Sequence, residues 1–131
     1  MSEDRRVIDQ KVIHELKDAV LGFIAAVKRR ELPSSRWLQV DPIKVYIRYG
    51  RRLVNGERHI ALTIANIDVD EALQKRGYFT TFLKKCLDIC QEQELVLFVE
   101  SVCSEHVERV LKREGFSLIG EGIFMDWYKL Y

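Results

Sequence analysis

Cysteine is scarce: three thiols, Cys86, Cys90 and Cys103, stand in 131 residues. An odd set at that density is no disulfide framework. Cys86 and Cys90 are four apart, can share a helix face, and read as small buried apolar groups. A zinc site needs further ligands at suitable spacing, and His14, His59 and His106 do not cluster with the cysteines, so no metal is expected. Proline occurs only at 33 and 42, and the stretch around Pro33 is too short for a domain linker. No apolar run approaches the roughly 20 residues that span a bilayer. The opening Met1-Ser2-Glu3-Asp4 is not a secretion signal, so no membrane and a cytoplasmic location are expected. Net charge is nearly absent, +1, which gives no general pull toward nucleic acid, and none is expected as a partner. Pairs such as Arg51-Arg52 read as solvated surface. Repeats and low-complexity stretches are missing too. One domain over residues 1–131 is the expectation.

What is present is periodicity. Ile8, Val12, Leu16, Val20, Phe23 and Val27 recur at helical spacing, predicting an N-terminal amphipathic helix over 7–30 with Asp4 as its cap. Trp37 to Val40 reads as a short strand, Asp41-Pro42 as a turn, and Ile43 to Tyr49 as an alternating, half-buried strand. Asn55-Gly56 is the strongest hairpin signal, since both residues tolerate positive φ, and His59 to Val69 returns as the partner. From Phe79 to Cys90 a helical stripe follows, then an apolar strand over 95–99. A helix carrying Val107, Val110 and Leu111 starts near Ser104 and stops at Gly115, and two strands close the chain. This order predicts an α/β (α+β) fold: a mixed central sheet with helices on both faces, containing a right-handed parallel strand–helix–strand unit over 60–99.

Between the strand ending at Val69 and the helix starting after Gly77 lies a turn suited to phosphate. Free N–H groups at a helix start point at a ligand there, and the helix dipole favours negative charge. Gly77 lets backbone approach closely, Lys75 and Arg76 bring positive charge, and Thr80 and Thr81 bring hydroxyls. An ordinary turn with solvated charges would use the same residues.

The wider register, Val69 through Gln74-Lys75-Arg76-Gly77-Tyr78-Phe79-Thr80, resembles the signature of the GNAT superfamily of N-acetyltransferases. There Gln or Arg, two residues, Gly, one residue, and Gly or Ala wrap the coenzyme A pyrophosphate. Gln74 and Gly77 match, Glu71 replaces a common proline, and Phe79 replaces a small residue. The run Arg76-Gly77-Tyr78-Phe79-Thr80 is similar to a subgroup frequent in phage and bacterial genomes. The resemblance covers residues 58–119. It implies a GNAT fold and acetyl-CoA as cosubstrate. Backbone near Ile67 and Val69 would hold the pantetheine, and Gln74, Lys75, Arg76, Gly77, Tyr78, Phe79 and Thr80 the phosphates. Ser104 stands where many members place an asparagine that contacts the pantetheine arm; it reads equally as a helix cap.

The proton-handling positions depart from the family. Leu111 stands where a tyrosine acid is common, and Thr63 where a glutamate base is common. Acetyl transfer still needs a route for the amine's proton. Glu100, an acid in an otherwise apolar strand, is the first candidate base and Asp68 the second. Glu100 reads equally as a structural partner for a nearby base. Tyr128 or Tyr131 could supply an acid, and Trp127 and Tyr128 could instead be core or form an interface, which leaves a homodimer open. The favoured function is transfer of an acetyl group from acetyl-CoA to a primary amine by direct attack, the acceptor being a small molecule or a protein. The alternative is a catalytically degenerate GNAT-fold protein that binds a macromolecular partner, with or without CoA.

Overall fold

The computed structural model describes residues 9–30, 34–69, 77–102, 105–119 and 125–130. Helix α1 spans Gln10–Lys28 and carries a buried stripe of Val12, Leu16, Val20, Phe23 and Ile24. Its cap is Asp9, whose carboxylate accepts from the Lys11 N–H at 3.0 Å, so the helix begins later than the periodicity suggested. Asp4 lies outside the described residues.

Strands β1 (Ser35–Val40), β2 (Ile43–Val54) and β3 (Glu57–Val69) form an antiparallel meander. The β2–β3 turn is Asn55-Gly56, both at positive φ, 51° and 83°, as a tight hairpin requires. Helix α2 (Tyr78–Gln93) crosses to β4 (Val96–Val102), which lies parallel to β3. Helix α3 (Glu105–Arg113) then leads to β5 (Ser117–Ile119) and β6 (Met125–Lys129). The sheet order is β1-β2-β3-β4-β6-β5, a mixed sheet of six strands.

Alternation sorts side chains onto two faces. Val45, Ile47, Leu62, Ile64, Leu97, Val99 and Trp127 join the buried stripes of α1, α2 and α3 in one core. The other face holds a smaller cluster of Val54, Ala61, Val96 and Phe98, flanked by Ile119 and Tyr128. The sequence reading put helices on both faces; among the described residues all three helices bury their side chains in the same core. Topology explains it. The crossovers β3–α2–β4 and β4–α3–β5 step the same way across the sheet, so right-handed connections place both helices on one side. The other face is left to carry polar chemistry.

Candidate functional site

The parallel ladder between β3 and β4 is short. Ala61 to Ile64 pair with Val96 to Val99, and there the shared register stops, although β3 runs on to Val69 and β4 to Val102. The cause lies on both outer flanks. Tyr46 pairs with Asn66 and Ile47 with Ile64, so Ala65 is an extra residue on β3. Val99 pairs with Trp127 and Val102 with Met125, so Glu100 and Ser101 together oppose Asp126. A bulge bends its strand and sharpens its twist. Two bulges at the same level, one on each strand, separate β3 from β4 just past Ile64 and Val99. Among the described residues the backbone groups edging that gap have no strand partner across it, leaving donors and acceptors for an extended ligand.

The bulge also explains a spacing in the sequence. Ile64 and Ile67 are three apart, yet both pack on the helical core because Ala65 takes up one residue. Ile67 is partly buried, and Asn66 and Asp68 are exposed. Val69 ends the strand.

Beside the gap sits the start of α2. Gly77 is its N-cap residue at φ 92°, in the left-handed region that glycine adopts freely, and among the described residues no side chain caps the helix. The first turn holds no acidic residue. The helical ladder starts with the Thr81 N–H donating to the Gly77 carbonyl at 2.9 Å, so the amides of Tyr78, Phe79 and Thr80 have no acceptor within the helix. Tyr78 is buried, and its hydroxyl accepts from the Asp9 N–H at 3.2 Å, tying the two helix starts together. Phe79 packs against the core, so its bulk points away from the amides. Thr80 is half-buried. Gln74, Lys75, Arg76 and Ser104 lie outside the described residues.

On the open face of the sheet, Glu100 is 17% exposed and held on both sides. Its Oε1 accepts from Arg48 Nη1 and its Oε2 from Arg52 Nη1, each at 2.7 Å. Arg52 also lies 3.5 Å from Thr63 Oγ1 and 3.7 Å from Asp126 Oδ2, and its guanidinium sits 3.9 Å over the Phe98 ring. These charges are shielded from water on one side by the ring, where pairing counts for more than at an open surface. Arg48, Arg51, Arg52, Thr63 and Glu100, with Ser34, Tyr49 and Gly50, line a cavity of about 300 Å³.

Sequence reasoning took Arg51-Arg52 for solvated surface. Arg52 is instead three-quarters buried and ion-paired. The usable signal was Arg48-x-Gly50-x-Arg52, three positions on one strand face with a gap in the middle. Asp68 is exposed, stands opposite Lys44 in the ladder and does not line the cavity, so the two candidate carboxylates are not brought together. Leu111 and Trp127 are core, while Tyr128 lies against Phe98 with ring centroids 5.9 Å apart. Burial pushes the Cys90 thiol up to about 12 and the Cys86 thiol well above its usual value, with neighbouring Cys90 adding to the shift, so neither supplies a thiolate. Among the described residues no cluster of metal ligands forms, and no helix is long and apolar enough to cross a membrane.

No protein-family model matches the chain, and no curated protein sequence matches it. Solved structures do. One is a point mutant of the AtaT toxin bound to acetyl-CoA and the C-terminus of the antitoxin AtaR, with TM-score 0.53 and 15% identity over 67% of this chain. The match spans 57% of that toxin chain. A chain of the KacTA–DNA complex has TM-score 0.54 and 13% identity over 86% of this chain and 79% of its own. A presumed acetyltransferase from Agrobacterium tumefaciens has TM-score 0.53 and 15% identity, with 95% of both chains covered. At such identities the likeness speaks for architecture alone, and its conclusion is that this chain has the GNAT acetyltransferase fold.

Proposed function

We propose that the protein is an N-acetyltransferase that moves an acetyl group from acetyl-CoA to a primary amine. The observation that carries this reading is the gap between β3 and β4, opened by paired bulges and set beside the uncapped start of α2. An extended thioester arm fits between the strands, hydrogen-bonding backbone near Ile67 and Val69. The pyrophosphate sits at the amides of Tyr78, Phe79 and Thr80, with Gly77 permitting close approach and Gln74, Lys75 and Arg76 completing the set, while Ser104 contacts the pantetheine arm. The acetyl-CoA held by AtaT supports the same cosubstrate here.

The acceptor amine enters from the open face. Its nitrogen attacks the thioester carbonyl carbon, a C–N bond forms, the C–S bond breaks, and the thiolate takes a proton. A backbone N–H in the gap polarises the carbonyl as an oxyanion donor. Glu100 is the first candidate base: each of its oxygens accepts from one arginine and keeps a further lone pair for a water that receives the amine's proton. Asp68 is the second carboxylate, on the outer stretch of β3. No covalent enzyme intermediate is needed, in keeping with the neutral, buried thiols.

The test pairs binding with turnover. Saturating acetyl-CoA raises the melting temperature, because it binds only the native state. Thiol release then appears with an amine panel, and intact mass shows the acetylated product. Binding without acetylation of anything in a lysate would instead favour a degenerate protein that binds a macromolecular partner. Absence of both binding and turnover would overturn the proposal.

A further inference from the structure

The two edges of the sheet differ in character. β5 is three residues long, while β1 runs for six in unbroken register with β2, from Ser35 opposite Arg48 to Val40 opposite Ile43. The devices that blunt an edge, a proline, a lysine or a bulge within the strand, are all missing from β1. Which of its backbone groups are free follows from the ladder. The Tyr49 N–H donates to the Ser34 carbonyl at 2.8 Å. Hydrogen-bonded and non-hydrogen-bonded pairs alternate in an antiparallel ladder, so Arg36, Leu38 and Val40 also turn their backbone groups to β2. Ser35, Trp37 and Gln39 turn theirs outward, and among the described residues no strand pairs with them. Trp37 stands in the middle of that row, on the open face of the sheet. It is 45% exposed, with its ring held by Tyr46, centroids 5.1 Å apart, and by Lys44 Nζ at 4.6 Å.

We infer that β1 is the contact between two copies of this chain, paired antiparallel about a two-fold axis through Trp37. The inference stands apart from the acetyltransferase reading. The edge is its own complement. With Trp37 opposite Trp37 of the second copy, Ser35 falls opposite Gln39 and Gln39 opposite Ser35, so every outward N–H and C=O of the row finds a partner. A register shifted by two residues sets Ser35 or Gln39 opposite a position beyond the strand. The side chains agree. Two indoles meet on the open face, where a cross-strand aromatic pair stabilises a sheet. Arg36 falls opposite Leu38, so no like charges face each other. Tyr46 and Lys44 already order the indole, which lowers the cost of fixing it at an interface. One strand edge and one indole per chain make a small contact, so the dimer dissociates on dilution.

Sedimentation velocity from micromolar to submillimolar concentration tests it, with amide hydrogen exchange of ¹⁵N-labelled protein at both ends of that range. The expected result is a species of twice the chain mass whose fraction rises with concentration. Exchange at the amides of Ser35, Trp37 and Gln39 slows in step with it. Trp37→Lys sets two ammonium groups against each other at the axis and raises the dimer's Kd at least about tenfold, the scale of a lost central aromatic anchor. Gln39→Pro removes an outward N–H that β2 does not use, so the hairpin survives and the dimer again weakens. Should Trp37→Lys fail to fold, Gln39→Pro and the wild-type amides decide. A monomer throughout the range overturns the inference, whether those amides exchange freely or are covered by residues 1–8 or by a different protein. So does a dimer in which the three amides exchange as fast as in dilute protein, or one that neither variant weakens.

Discussion

The same two strands behave in opposite ways along their length. From Ala61 to Ile64 and Val96 to Val99, β3 and β4 are hydrogen-bonded, apolar apart from Thr63, and almost fully buried. One step further they part, and the residues become Asn66, Asp68 and Glu100. Composition changes where geometry does. The closed half is held by burial on both faces, whereas the open half is shaped by two inserted residues and fixed by charge pairs. On the proposed reading, stability and function are divided between adjacent stretches of the same strands.

Three substitutions and one deletion probe that division. The largest effect belongs to the closed half. Phe98 is fully buried, so Phe98→Ala lowers unfolding free energy by about 3–5 kcal/mol in denaturant titrations. It also removes the ring beneath Arg52. A loss below about 1 kcal/mol would mean that this face contributes little to stability.

Next comes Glu100→Gln, in the open half. Turnover falls by a factor of about 100 or more, the usual scale of a general-base contribution, with acetyl-CoA affinity unchanged. Unaltered turnover moves the proton's route to Asp68 or to a chain of waters. Deleting Ala65 is subtler. Removing the extra residue keeps Ile64 and Ile67 on the core side, so the chain still folds, but β3 straightens toward β4. Acetyl-CoA affinity falls by about tenfold or more, near 1.4 kcal/mol, in calorimetry. Equal affinity in the deletion would separate the bulge from the coenzyme site. The smallest effect belongs to the start of α1: Asp9→Ala loses the side-chain cap but keeps the backbone N–H that meets Tyr78, so about 1 kcal/mol of stability goes with kcat unchanged.

The elements that the sequence displayed best rest on local physics. Asn55-Gly56 announced its hairpin through backbone preference, and the stripe from Phe82 to Cys90 announced α2 through helical spacing. The uncapped glycine at the head of α2 was legible for the same reason. Asp9 was missed as a cap because Asp4 offered the same chemistry a few residues earlier. The Ala65 bulge left a trace, Ile64-Ala65-Asn66-Ile67, that breaks strand alternation, but such a break alone does not distinguish a bulge from a strand end. The Arg48–Glu100–Arg52 cluster was beyond local reading. Its members stand 52 and 48 positions apart and meet only because β3 lies between their strands with both faces already assigned. Helix placement on one face likewise follows from the order of the whole sheet.

The central claim is that acetyl-CoA lies in the gap between β3 and β4 with its phosphates at the start of α2. Titrating ¹⁵N-labelled protein with acetyl-CoA tests it most directly, because each backbone amide reports its own surroundings. The account predicts saturable shifts concentrated at Ala65 to Val69 and Gly77 to Thr81, with the hairpin at Asn55 and Gly56 unmoved. Shifts gathered elsewhere, or none at saturating coenzyme, would contradict it.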